Sequence, residues 1–379
     1  MPFASILSGA GGVVLVLVIV WDAFETILVP RRIGRRVRLT RYFYWTTWRL
    51  WRALAVRLRA PSRREALLGF FGPLSLILLL LCWASGLIIA FALIEVATGQ
   101  AAGPPARGFG TLLYTSGQTF FTLGFGDFTP TTALGRMLAV LEAGLGFGFL
   151  GTVVGYLPTM YAAFSQREIE ISLMDARAGS PPTAMEFLRR NAPRFEDGHC
   201  EELLRAWERW AAQLLETHIS YPQLAYYRSQ HGNQSWLATL VTILDSTALL
   251  LARPGAPRAS QARLTFAMGR HALVDITQIF VREFRPVAGE RLTPEGLRAL
   301  EALLDAPSWT PGAAREFEER LAGLRLLYEP YARALGAFLL FELSPWESAE
   351  RRPDNWERAP WDKLLAARQG TAPRPDEHF

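Results

Sequence analysis

Cysteine is nearly absent from the 379 residues: Cys82 and Cys200 are the only two. Two thiols cannot build a disulfide framework, and they leave no Cys-based zinc ligand set. Lysine is scarcer still, with Lys363 alone among 40 basic residues. The rest are arginine, which together with abundant Ala, Gly and Pro reads as compositional bias rather than function. Acid is missing from residues 31–65, where twelve arginines face only Glu65. The formal charge of +5 therefore describes one +11 segment attached to a chain that is otherwise net acidic. No catalytic triad, metal-ligand cluster or phosphate loop survives its sequence context, so no enzymatic activity and no organic cofactor are expected.

Apolar residues, by contrast, are plentiful. Half of the chain is hydrophobic, with 12 Trp, 23 Phe and 10 Tyr, and the mean hydropathy is +0.13. Disorder is excluded, and part of the chain must be solvated by lipid. Residues 5–30, 66–98 and 135–164 contain runs long enough to cross a hydrocarbon core of about 30 Å at about 1.5 Å per residue. The first run has neither the basic leader nor the small-residue cleavage site of a signal peptide and reads as a transmembrane helix. Short loops rich in arginine stay on the cytoplasmic side. The N-terminus is then external, residues 99–134 are external, and everything after the third run is cytosolic. Within the basic loop, Tyr42, Phe43, Tyr44, Trp45, Trp48 and Trp51 alternate with arginines, the pattern of an interfacial helix in contact with the lipid bilayer rather than of a nucleic-acid patch.

Between the second and third runs stands Thr122-Leu123-Gly124-Phe125-Gly126-Asp127, preceded by a mildly apolar stretch and followed by Pro130 and Gly135-Arg136. This motif resembles the selectivity-filter signature of the potassium-channel superfamily, T-V-G-Y-G-D, in its bacterial single-filter members, and the resemblance covers residues 66–164. It implies an outer helix, a pore helix near 110–121, a filter at 122–127 and an inner helix. A potassium ion must exchange its hydration shell for backbone carbonyls, and glycines allow the φ > 0 conformations that line those carbonyls up. By the resemblance, the carbonyls of Thr122, Leu123, Gly124 and Phe125, with the Thr122 hydroxyl, bind the transported K+, and Gly126 closes the outer mouth. Leu123 and Phe125 replace Val and Tyr without touching the carbonyls, whereas Phe121 replaces the first Thr of the usual pair. Tyr114 and Gln118, one turn apart, are expected to donate to Asp127 and support the filter. One filter per chain implies a homotetramer.

Gly146 to Gly151 also matches G-x-G-x-x-G, but no strand precedes it and the run is membrane-length, so a dinucleotide site is rejected. Gly144, Gly148, Gly151 and Gly155 instead read as a small-residue packing face and candidate hinge, and Pro158 as a kink in the inner helix. Asp22 and Glu25 are expected to pair with Arg31, Arg32 or another arginine of the loop. Glu142 either pairs behind the filter or faces the pore.

From residue 166 onward, 26 basic and 29 acidic residues make a mixed, soluble-type surface. Helical periodicity over 200–217, 234–252, 259–284, 294–306 and 312–343, with no sustained alternation, predicts an all-α domain. Residues 236–251 are apolar enough for a span, but Asp245 at their centre favours a buried core helix. His199, His218, His231 and His271 are scattered and read as structural. Arginine at every third residue, as voltage sensing requires, is missing from the spans.

The expected architecture is an all-α membrane protein. It has an N-terminal transmembrane helix (1–30), a basic interfacial segment (31–65), a potassium-channel pore domain (66–165), a cytosolic helical domain (166–350) open to an unknown regulator, and a flexible tail (351–379). The expected function is potassium-selective conduction across the cytoplasmic membrane. The alternatives are a weakly selective monovalent cation channel, or a membrane receptor or scaffold with a vestigial filter.

Overall fold

The structure of the protein, a computed structural model, describes residues 2–27, 38–98, 108–191, 199–230, 234–254, 260–281, 283, 290–304, 310–347, 354 and 361. No strand occurs among them. The chain divides into two compact units, Met1–Ala163 with Ile219–Tyr227, and Phe164–His218 with Arg228–Phe379.

The first unit is built on α1 (Pro2–Ile27), α2 (Leu39–Arg57), α3 (Pro61–Ala97), α4 (Phe109–Phe120) and α5 (Ala133–Ala178), whose final turns belong to the second unit. Phe3–Ile27, Pro61–Ala97 and Ala133–Ala178 are long and apolar enough to cross a membrane. At 1.5 Å per residue α3 and α5 run to roughly 55 and 70 Å, so each outreaches the hydrocarbon core. α1 lies antiparallel on α3, and the approach is close because Gly12 has no side chain: a Cβ there would stand 2.6 Å from the Ala90 carbonyl oxygen. Small residues at a helix contact are how apolar helices gain dispersion contacts when lipid offers no hydrophobic drive.

The buried acids of α1 organise this corner. The Asp22 carboxylate accepts from the Thr40 backbone N–H (3.1 Å), the Thr40 hydroxyl (2.6 Å) and Trp83 Nε1 (3.1 Å). Thr40 lies in the first turn of α2, whose N-cap Arg38 offers no side-chain acceptor. α1 thus supplies the cap that the local sequence lacks. Glu25 accepts from Trp21 Nε1 at 2.9 Å and pairs with Arg38 at 3.6 Å. The expected arginine partner is therefore found for Glu25, whereas Asp22 is occupied by a hydroxyl, an amide and an indole. Arg31 and Arg32 lie outside the described residues.

The second unit contains α6 (Ala184–Asn191), α7 (His199–Ser220) except for its last two residues, α8 (Trp236–Ala252), α9 (Ser260–Phe280), α10 (Pro294–Leu303), α11 (Pro311–Leu326) and α12 (Glu329–Leu339). α8 is its core, packed against α6, α9, α11 and α12. The centre of α8 carries Asp245, which receives Arg291 Nη2 at 2.6 Å and the Tyr328 hydroxyl at 2.5 Å. Burial opposes the Arg291 charge, but the Asp245 carboxylate against it outweighs burial and holds the guanidinium above its ordinary pKa. This partnership fits 236–251 as a buried helix of the second unit.

Three expectations change here. The helix read over 312–343 is two, α11 and α12, because Pro330 has no N–H to offer Leu326 and Tyr328 turns inward to Asp245. α6 and a short 3-10 helix, Pro222–Tyr226, were not foreseen. The tail after 351 is not wholly free: Asp354 is buried and accepts from the Ser180 N–H at 3.2 Å and Arg190 Nη1 at 2.7 Å.

His218 is fully buried in the second unit, its ring 4.8 Å from that of Trp236 and its Nδ1 donating to the Leu214 carbonyl at 2.8 Å. Burial, with Arg167 nearby, pushes its pKa down to about 3 from 6.5. The unfolded chain therefore binds a proton that the native state refuses, and stability present above about pH 6.5 is lost as pH falls toward about 3. In His218→Phe, the unfolding midpoint of the purified chain should fall less steeply across that window than in wild type.

Candidate ion-conduction site

The polar sequence after Ala97 gives way at Phe109 to twelve helical residues, α4, which bury Leu112, Ser116, Gln118 and Phe120. The hydroxyls of Thr115 and Thr119 donate back to the carbonyls of Thr111 and Thr115, both at 2.9 Å, so neither competes for outside partners. The chain leaves the helix under backbone control: Thr122 N–H donates to Thr119 O at 3.1 Å and Leu123 N–H to Gln118 O at 2.8 Å. The C-terminal, partially negative end of α4 therefore abuts the start of the 122–127 segment.

In that segment φ is +53° at Thr122, +63° at Gly124 and +76° at Gly126, while Leu123 and Phe125 keep negative φ. Such alternation turns successive peptide planes so that their carbonyls can share one side. The two glycines adopt it without steric cost. Thr122 is strained by it, a cost of about 1–2 kcal/mol that its hydrogen bond to Thr119 helps to offset. The glycine positions were legible in the sequence and the Thr122 conformation was not.

The support behind the segment is specific. Gln118 Nε2 donates to Asp127 Oδ1 at 3.0 Å. Tyr114 lies in electrostatic contact with Asp127, and its ring meets Phe128 edge-on at 6.1 Å. Midway between Tyr114 and Gln118 on α4, the Ser116 hydroxyl lies 2.5 Å from Glu142 Oε1 and 2.8 Å from the Ile88 carbonyl oxygen. α3, α4 and α5 are thereby joined at one buried point. Glu142 thus pairs with a buried polar group of α4, while Ser116 carried no signal in the sequence.

α5 begins at a cap, with Gly135 N–H donating to Thr132 Oγ1 at 3.1 Å. Its glycines differ in what they face within the chain. A Cβ at Gly144, Gly148, Gly151 or Gly155 would meet nothing within 4 Å in this chain, so these positions are not an intrachain packing face. The close approach is at Gly146, where a Cβ would stand 1.9 Å from the Phe120 carbonyl oxygen. Spacing alone could not say which glycine faces α4. α5 runs as one helix through Pro158, which has no N–H to offer the Val154 carbonyl. Neighbouring hydroxyls bond back to the helix, Thr152 to Gly148 O at 2.8 Å and Thr159 to Gly155 O at 2.9 Å.

Residues 77–163 match the family model described as "Ion channel". This stretch is an ion-channel domain. It takes in the second half of α3, all of α4, the 122–127 segment and α5 as far as the end of the first unit. Over 239 residues the chain is 28% identical to the uncharacterized membrane protein YdjJ of Bacillus subtilis (strain 168), covering 58% of this chain and 67% of that one. No solved structure matches the chain. The ion-channel domain and its membrane-length helices make the protein a membrane protein.

Among the described residues no group of three or more His, Cys, Asp or Glu is placed to hold a metal ion through side chains. Gly146→Ala forces a methyl into the Phe120 carbonyl, an overpacking cost of at least about 1–3 kcal/mol. Gly69→Ala, whose Cβ meets nothing, serves as the control. The thermal midpoint of the purified chain should drop clearly for the first and stay level or rise for the second.

Proposed function

We propose that the protein is a potassium-selective channel, assembled as a homotetramer in the cytoplasmic membrane. The observation that carries the reading is the alternation of φ through Thr122, Gly124 and Gly126, directly after a short helix and between two membrane-length helices. A dehydrated potassium ion needs a column of oxygens at fixed spacing. The carbonyls of Thr122, Leu123, Gly124 and Phe125, with the Thr122 hydroxyl, supply it, and Gly126 completes the turn at the outer mouth. Non-helical backbone at membrane depth is tolerated only where it is buried in protein or lines water.

One chain cannot enclose an ion. The segment is exposed along its length, with Leu123 56% and Phe125 64% accessible. Apolar side chains of that size next to a pore need cover, and four copies around one axis supply it while closing the carbonyl ring. On the outer face of α5, Val140, Phe147, Leu150 and Val154 are likewise exposed, as expected of a helix that meets lipid or neighbouring copies. The arginine-rich segment before α3 places that end on the cytoplasmic side, which puts Asp127 outside and the C-terminal unit in the cytosol. Gly144, Gly148, Gly151 and Pro158 remain the places on the inner helix where a gate is proposed, because an open glycine position or a missing N–H lowers the cost of bending.

Reconstitution in vesicles tests the proposal. Barium-sensitive potassium flux that exceeds sodium flux at least tenfold is the expected result, with Gly124→Ala abolishing flux while the assembly stays intact. Comparable sodium flux would identify a weakly selective cation channel, and silence under all conditions a receptor or scaffold. Tyr114→Phe combined with Gln118→Leu should reduce flux or speed its decay, since it removes both groups that hold Asp127. Unchanged flux in that double variant would remove them from filter support.

A further inference from the structure

The first unit contains a segment that is distant in sequence. Ile219–Tyr227 packs with residues 1–163, although the chain on both sides of it belongs to the second unit. Pro222 opens its 3-10 helix, and Gln223, Leu224, Ala225 and Tyr226 are all buried. The Tyr226 ring lies nearly parallel to that of Tyr44 of α2, with centroids 5.7 Å apart and planes 5° apart. It also meets Trp48 and Phe71, each at 5.0 Å. The neighbouring Tyr227 ring lies over Gly72 of α3, where a Cβ would come within 2.6 Å of it. On the other side Gln223 Nε2 bonds to the Tyr156 hydroxyl and lies 3.8 Å from Met160 Sδ, while Tyr221 meets the Tyr156 ring at 5.5 Å.

Tyr156 and Met160 bracket Pro158. They are buried on a helix whose nearby residues Val154, Leu157 and Tyr161 are exposed, and what covers Tyr156 is this segment. One side of the segment thus holds the inner helix at its proline, and the other is fixed by aromatic stacking to α2 and α3.

We propose that Ile219–Tyr227 is the positioning element by which the C-terminal half sets the inner helix, with Gln223 holding Tyr156 and Met160 at Pro158 and Tyr226 anchoring the hold on α2 and α3. The proposal rests on the channel reading for its functional consequence. Any displacement of α7 or of the chain after Arg228 pulls on this segment through covalent bonds, and the segment passes it to α5 through Gln223. The hold on α5 is one amide–phenol bond and one ring contact, Tyr221 on Tyr156, against a four-ring cluster on α2 and α3. The smaller set is cheaper to exchange, so the joint should release at Tyr156 first.

Two readouts on the full-length protein test this, one of them independent of flux. In a background with Cys82→Ser and Cys200→Ser, Met160→Cys should react with a water-soluble maleimide at least tenfold more slowly than Tyr161→Cys. Adding Tyr226→Ala should raise the Met160→Cys rate severalfold, whereas Tyr226→Phe, which keeps the stack, should not. In potassium-loaded vesicles, Gln223→Leu, Tyr156→Phe and the pair together should change barium-sensitive flux by the same severalfold factor, leaving the potassium-to-sodium ratio untouched. Equal single and double effects mark one shared contact, and a general loss of folding would not preserve selectivity. Unaltered flux in all three variants, or changes that multiply in the pair, overturns the proposal. If wild type conducts nothing, the channel reading falls and the maleimide rates decide the hold alone: a Met160→Cys rate indifferent to Tyr226→Ala overturns it.

Discussion

Through residues 122–127 φ alternates in sign and the backbone N–H groups of Thr122 and Leu123 bond to α4 rather than within the segment, and that constraint governs the first unit. No bond within the segment takes up a carbonyl between Thr122 and Phe125, so each is left for a partner that the segment does not contain. Such a conformation persists only if its surroundings over-determine it. The surroundings here do so from three directions. The α4 carboxyl end holds the amides of Thr122 and Leu123, Gln118 holds Asp127, and Gly146 lets α5 press directly against the Phe120 carbonyl. The absence of one side chain at 146 fixes the distance from the inner helix to the segment as firmly as any bond.

The polar residues inside apolar helices mark where three helices meet. Asp22 of α1 caps α2 and ties it to Trp83 of α3. Ser116 of α4 joins Glu142 of α5 to the Ile88 carbonyl of α3. Gln223 reaches Tyr156, with Tyr226 in the stack of Tyr44, Trp48 and Phe71. A hydrogen bond between helices in lipid is worth only about 1 kcal/mol, but an unpaired buried polar group costs more. These residues therefore fix register rather than supply bulk stability. Apolar contacts could slide by a turn, and these cannot.

How much of this was legible follows from what each signal depends on. The membrane-length helices, the short helix before the filter motif and the all-helical C-terminal half were readable, because periodicity and run length are local. So was the bond from Gln118 to Asp127, since nine residues and one turn of helix settle it. The partner of Asp22 was not, because charge counting proposes an arginine while the structure needed a cap for α2. The glycines of α5 left a related gap. Gly144, Gly148, Gly151 and Gly155 share one face, yet the glycine that meets α4 is Gly146, and rotation about a helix axis is set by contacts far away in sequence. Pro330 could have been read as the break between α11 and α12, but a sustained apolar pattern masked it.

The same logic bears on the Pro222–Tyr226 segment. Its sequence, Pro222-Gln223-Leu224-Ala225-Tyr226, lacks the length for a helix and the alternation for a strand, and local reading leaves it as a connector. Connectors normally lie on the surface, because buried backbone must find partners. This one is buried and meets that demand internally, Leu224 N–H bonding Tyr221 O at 2.9 Å and Tyr227 N–H bonding Leu224 O at 3.0 Å. Its side chains are then free to make contacts that only tertiary structure requires. Burial there binds the stretch to the first unit although its neighbours in sequence on both sides belong to the second, and for that reason no local signal could have placed it.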